Sequence, residues 1–372
     1  MLRFGKVVLL LLLFLSVETV LGQSRKIIRI PDIPGYLTLK CDFHMHTVFS
    51  DGTVWPTVRV EEAKREGLDA IAITDHIEYR PHSKDVVADH NRSFEIAKPL
   101  ADALDIILIR SAEITRSMPP GHINALFIEN ANLLEREDGL DAIREAREQG
   151  AFLLWNHPGW KAQQPDTTIW WEEHTQLLKN DLLHGIEVFN EKEFYPEALT
   201  WAKQKKLAVL CNSDVHGPTN MSYDLEQANR PLTLVFSENR SVGSIKDALF
   251  KRRTAAFFNN TLAGPSSLLE PLFFSSLKMK KQALGLEDQK SVTIDIINNS
   301  DLDYELELVQ PTVGFEAPET LTLKAQHATA MELTGNSPDV SGLSELEIYY
   351  SVKNMLVWED KNLVVTFSFQ NK

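Results

Sequence analysis

With 372 residues, 43% hydrophobic and 24% charged, the chain is long enough for two domains and too apolar to stay disordered. Its formal net charge of −14 argues against general nucleic-acid binding, which needs clustered Lys and Arg. Two cysteines, Cys41 and Cys211, are too few for a disulfide framework; both lie on apolar runs and are expected to be buried packing.

In chain order, Arg3 and Lys6 precede an apolar run over 7–15 that is shorter than a bilayer-spanning helix, and Val20 and Gly22 stand at the small-residue positions before Gln23. This predicts a signal peptide over 1–22 and an exported mature chain, periplasmic or secreted, with no stable membrane anchor. Strand patterns are expected at 39–43, 68–74, 106–114, 123–128, 151–155, 185–189, 207–211, 232–236 and 255–258. Helical patterns fall at 56–66, 91–104, 140–149, 170–179, 196–206 and 244–251, the first opening on Pro56. Such alternation implies βαβ units on a parallel sheet, and about seven units suit a barrel with its chemistry at the carboxyl ends of the strands. After Gly264–Pro265 the pattern becomes period two, as in 292–296 and 363–369, with turn-rich breaks such as 298–301. The expected organisation is a leader over 1–22, an α/β barrel over 23–265 and a small antiparallel β-sandwich-like domain over 266–372.

Six of the eleven histidines fall at predicted strand ends. In Asp42-Phe43-His44-Met45-His46 the two histidines share one face of a strand and can reach one ion. Asp51 follows in a Ser-Asp-Gly turn. Thr74-Asp75-His76 ends the second strand and Glu113 the third. His122 follows a Pro-Pro-Gly turn, Asn156-His157-Pro158 ends another strand, and Asp214-Val215-His216 repeats the i, i+2 spacing. Each element alone is a weak signal, since a lone strand-end histidine is usually a satisfied polar group. Nine His, Asp and Glu residues at the strand ends of one domain are not explained by packing, because buried charges need partners or metals.

This ordered set resembles the PHP family, named for its polymerase and histidinol phosphatase members, over roughly residues 38–260. The resemblance implies a distorted (β/α)7 TIM-like barrel holding two to three divalent ions, Zn, Mn or Fe. By motif, His44, His46, Glu113 and Asp214 would hold the first ion. Glu113 would bridge to a second completed by His122 and His157, and Asp51, His76 and His216 would hold a third. Many members carry histidine where this chain has Asp51. Together with the leader and the C-terminal β domain, the architecture also resembles the exported bacterial phosphodiesterases called Sb-PDE.

The expected reaction is hydrolysis of a small phosphodiester by a hydroxide shared between ions, with Glu113 and Asp214 central, Arg116 as a candidate phosphate contact and Lys192 as a site candidate near the barrel mouth. Asp75 is a candidate to orient His76 or a neighbouring ligand. Tyr79 and Arg80 are candidates for the entrance; Trp155 and Trp160, flanking His157, are candidates for an apolar wall beside a leaving group, with core packing the expected role of Trp155. His82, His90, His174, His184 and His327 read as ordinary histidines, and the charged run 135–138 as a solvated helix start. The rival readings are a monoesterase acting on a small phosphorylated metabolite and a surface-binding protein with an inactive barrel. No nucleic-acid polymer is an expected partner.

Overall fold

A computed structural model describes residues 27–226, 228–279 and 283–371; the expected leader lies outside the described residues. Parallel strands β1 (Leu37–Asp42), β2 (Ala70–Ile73) and β3 (Ile107–Ile114) start the first sheet. Next, β4 (Ile123–Leu126) runs antiparallel between β3 and β5 (Phe152–Trp155). From β5 the sheet continues in parallel through β6 (Gly185–Asn190) to β8 (Ala208–Asn212), while β7 (Glu193–Phe194) folds back on β6 as a hairpin. On the other edge of β1 lie β9 (Leu232–Ser237), β10 (Thr254–Phe258) and β11 (Thr261–Ala263), each antiparallel to its neighbour. Strands such as β2 and β5 are buried at every residue, which is why they read as unbroken apolar runs.

Eight helices accompany these strands among the described residues: α1 (Pro56–Glu66), α2 (Arg92–Ala103), α3 (Gly139–Glu148), α4 (Glu172–Lys179), α5 (Pro196–Lys205), α6 (Thr219–Ser222), α7 (Val242–Phe250) and α8 (Ser266–Ser275). Local chemistry sets their ends. Proline opens α1, and Gly67 at φ +71° ends it in the left-handed region. The Asp138 carboxylate accepts the N–H groups of Leu140 and Asp141 at 2.7 and 3.1 Å, so the charged run 135–138 ends in the cap of α3.

The expected α/β domain is present and its barrel is distorted: the strands form no closed ladder. The edge of β1 that closure requires is taken by β9, which pairs antiparallel with residues 37–41. Only past Asp42, where β9 has ended, does the chain meet the extension of β8. There Met45 bridges Val215, the His46 N–H donates to the Val215 carbonyl at 3.0 Å, and the Asp214 N–H donates to the His44 carbonyl at 2.8 Å. Arg59 of α1, fully buried, locks this seam. Its guanidinium donates to the carbonyls of His46 at 3.0 and 2.9 Å, Val215 at 2.8 Å and Gly217 at 2.9 Å, and to the Glu62 carboxylate at 2.8 Å.

The C-terminal segment forms two facing sheets. One contains β12 (Leu277–Met279), β13 (Ser291–Asn298), β15 (Phe315–Glu316) and β17 (Ala328–Gly335). The other contains β14 (Tyr304–Leu308), β16 (Thr320–Leu323), β18 (Glu345–Trp358) and β19 (Lys361–Gln370). Alternate residues, among them Ile294, Ile296, Met331, Leu333, Ile348 and Phe367, fill the space between them. This second sheet is not detached from the first: β18 pairs in parallel with β11 through Leu262–Met355 and Ala263–Leu356.

Removing the Arg59 pin exposes its structural weight. Arg59→Met leaves Glu62 buried without its cation and the His46 and Gly217 carbonyls without donors, and should cost about 3–5 kcal/mol of unfolding free energy. Urea unfolding measures this; a loss below about 1 kcal/mol would show that the seam does not depend on Arg59.

Candidate metal centre

The seam and the carboxyl ends of the strands bring nine side chains together. They form four overlapping groups: His44, His46 and Glu113; His44, His157 and Asp214; His76, Glu113 and His122; and His46, Asp51, His76 and His216. Neighbouring ligand atoms sit at 2.5 Å for His122 Nδ1 and Glu113 Oε1, 3.0 Å for His44 Nε2 and Glu113 Oε2, and 3.0 Å for His46 Nε2 and Asp214 Oδ1. Asp51 Oδ1 lies 3.4 Å from His76 Nε2 and 3.3 Å from His216 Nε2. Two ligands bound about 2.0–2.1 Å from one ion stand roughly 2.9–3.4 Å apart in octahedral or tetrahedral geometry, so most of these spacings are those of atoms that converge on cations.

The donor chemistry fits the same reading. His46 Nε2, Glu113 Oε1, His122 Nδ1 and Asp214 Oδ1 are buried and face only other members of the cluster, as in the pairs His46–Asp214 and His122–Glu113. An orphaned buried polar atom is costly, and four facing one another call for a shared positive charge. Imidazole and carboxylate donors suit Zn, Mn or Fe. The grouping differs in detail from the one the resemblance implies: His157 falls with His44 and Asp214, and His76 with Glu113 and His122. The sites are tightly packed, since the His46 ring stacks on His76 at 4.4 Å and on His216 at 4.3 Å.

Local backbone aims these groups. Asp214 and His157 hold φ of +50° and +26°, where L side chains are strained, and the turns they make at the strand ends are tight. A Cβ on Gly52 would sit 2.6 Å from the His46 carbonyl carbon and the Thr47 nitrogen, so only glycine lets the Asp51 turn lie across the end of β1.

Behind the ligands stands a polar layer. The Glu187 carboxylate, fully buried in β6, accepts from His44 Nδ1 at 2.9 Å, the His157 N–H at 2.7 Å, Asn190 Nδ2 at 2.8 Å and Asn212 Nδ2 at 2.9 Å. It thereby turns His44 Nε2 toward the cluster. The Thr115 hydroxyl meets His76 Nδ1 at 2.6 Å, and the Asp214 carbonyl accepts from His216 Nδ1 at 2.8 Å.

Without a cation, protons balance the charge. Burial lowers the affinity of His44 and His76 for a proton, but Asp214 and Glu187 hold His44 well above its ordinary value. Glu113 and Asp51 raise His76 to about 10. Burial and the neighbouring His76 push His46 down to about 4. The carboxylates of Glu113 and Asp214 stay well below their usual range because the surrounding histidines outweigh burial.

Over the cluster opens a cavity of about 430 Å³, walled by Tyr79, Trp160, Gln163 and Tyr195 with Glu191 and Glu193 at its rim. Tyr79 thus stands at the entrance, and Trp160 forms part of the wall. Arg116 and Lys192 do neither. The Arg116 guanidinium is taken by Glu78 at 2.9 Å and by the Glu137 and Arg136 carbonyls, and the Lys192 ammonium lies 5.8 Å from the Tyr223 ring. Arg80 is likewise held by the carbonyls of Phe49, Val87 and Ala88. Asp75 orients the turn after β1 rather than His76, accepting from the Thr47 N–H at 2.7 Å and the Ser50 hydroxyl at 2.9 Å.

Trp155 is fully buried and stacks on His174 at 3.7 Å; His174 in turn receives the Trp171 N–H at the start of α4. Cys41 and Cys211 are buried free thiols. The sequence reading missed Glu187, Thr115, Glu191, Glu193 and Tyr195. Only Glu187 had a signal, as a lone carboxylate in an otherwise apolar strand.

A family model described as a PHP domain matches residues 42–213, and one described as an Ig-like domain matches residues 277–368. An uncharacterized protein of Methanocaldococcus jannaschii is 39% identical over 197 residues, covering 50% of this chain and 85% of the relative. The crystal structure of a two-domain protein containing a predicted PHP-like metal-dependent phosphoesterase, from Bacteroides vulgatus, is 46% identical and superposes with a TM-score of 0.88. That match covers 93% of this chain and 99% of the other.

Two measurements check the centre. Glu187→Gln should weaken metal affinity about 10–100-fold, read by competition with a chelator; unchanged affinity would remove Glu187 from the support of His44. Because His76 stays protonated below about 10 without metal, loading at pH 7 must expel that proton. Calorimetric enthalpies should therefore vary with the ionisation enthalpy of the buffer, and buffer-independent heats would contradict the arrangement.

Proposed function

This chain belongs to the PHP family, and from that premise we propose that it is an exported, metal-dependent hydrolase of small phosphodiesters. One observation carries the choice of diester: among the described residues no Lys or Arg lines the cavity, whereas Glu191 and Glu193 do, beyond the carboxylates of Asp51, Glu113 and Asp214 in the ligand cluster. A phosphomonoester carries about −1.5 to −2 charges at pH 7, a diester one. A mouth that offers negative charge and no cationic side chain opposes the dianion more than the monoanion. The Tyr79, Trp160 and Tyr195 walls offer surface for the second ester arm. The apolar run over 7–15 supports export.

Bound divalent ions would supply charge neutralisation at the phosphoryl oxygens and a water acidified enough to attack at neutral pH. The chain does the rest. His44, His46, Asp51, His76, Glu113, His122, His157, Asp214 and His216 would hold the ions, with His44, His46, His76 and Glu113 each belonging to more than one group. Glu187 keeps His44 in the tautomer that presents Nε2. Asp75 fixes the turn that carries Ser50 and Asp51. Trp160 stands beside His122 and His157, with ring centroids at 5.6 and 5.3 Å, and limits water on that side.

The test is hydrolysis of aryl phosphate diesters and monoesters after loading with Zn, Mn or Fe. Diester turnover should dominate, and Glu113→Gln should reduce it by about 100-fold or more with less metal bound. Turnover of monoesters alone would overturn the diester reading. Fewer than two ions per chain with no turnover would favour a binding protein.

A further inference from the structure

Resting on the diester reading, we infer that Glu191 and Glu193 form a subsite for an ammonium group, so that the substrate is a phosphodiester of an amino alcohol. Past Asn190 the chain turns into the β6–β7 hairpin and places both carboxylates on the wall that also carries Asp214, His157 and His216. The hydroxyl of the buried Tyr195 donates to Glu193 Oε2 at 2.8 Å and fixes it. The Glu191 N–H donates to the Asn212 carbonyl at 3.2 Å, two residues before Asp214. No cation pairs with either carboxylate among the described residues.

Lys192, between them in sequence, leans over Tyr223 instead. The floor of the same cavity is the ligand cluster, with Glu113, His122, His157 and Asp214 in its lining, where bound ions would take the phosphate end. A cavity with an anion-binding floor and two unmatched carboxylates at its rim repels a purely anionic ester. It is complementary to an ester that brings its own cation on the far arm. The Tyr79 and Trp160 rings, 55% and 41% exposed in the same walls, offer the π faces that attract alkylammonium groups.

The pair that isolates this charge is p-nitrophenyl phosphocholine and p-nitrophenyl 3,3-dimethylbutyl phosphate, which differ only in quaternary nitrogen against carbon. The metal-loaded protein should favour the first by about tenfold in kcat/KM. Calorimetric binding of phosphocholine against 3,3-dimethylbutyl phosphate should show the same preference. The double substitution Glu191→Gln, Glu193→Gln should bring both ratios near one. A ratio of one in the unaltered protein, a preference that survives the double substitution, or tighter binding of glycerol phosphate than of phosphocholine overturns the subsite. Failure to cleave either diester sinks the diester reading alone, since the binding ratio still tests the ammonium site.

Discussion

Everything at the functional end of this molecule depends on one electrostatic constraint: imidazoles and carboxylates crowd together where water cannot compensate them. Glu113 is fully buried and touches four histidines, and Asp214 is nearly so. In low dielectric such a cluster holds together only if positive charge is shared among its members, as protons or as metal ions. The two kinds of positive charge compete for the same atoms, so the acid–base state of the centre and its metal content are one variable.

The polar groups around the cluster meet this constraint. Glu187 binds two asparagine side chains, one histidine ring and one backbone amide, so its charge is dispersed and its position is fixed. Arg59 and Arg230 are both buried and matched to carboxylates. Arg230 lies 2.8 Å from Asp42 and 3.1 Å from Glu66, tying β1 to α1 just below the ligands. The strained backbones of His157 and Asp214 are held against relaxation by this network, in the manner of functional sites generally.

Much of this was legible in the sequence. The His-x-His and Asp-x-His spacings are visible because a strand places i and i+2 on one face, and the nine residues named from those ends all meet. What stayed hidden followed from geometry that periodicity does not carry. An apolar run says that β4 is a strand, not that it runs antiparallel. It does not say that β9 occupies the edge of β1 a closed barrel would use. Arg116 and Lys192 stand near strand ends, yet a long flexible side chain goes where its head finds partners, and Glu78 with two carbonyls captured the guanidinium of Arg116. Glu191 and Glu193 carry no signal in the sequence, and only the cavity gives them a direction.

The pairing of β11 with β18 has a consequence for how such a chain can change over time. A module attached by a flexible tether can be lost, duplicated or exchanged without disturbing its neighbour. Here the hydrogen bonds of one sheet run across the boundary, and α8 begins three residues after the shared strand. An ancestor that shed the C-terminal sandwich would have exposed the edge of β11 as a template for self-association. The two halves are therefore bound to a common inheritance, and substitutions along Leu262, Ala263, Met355 and Leu356 must be accommodated jointly.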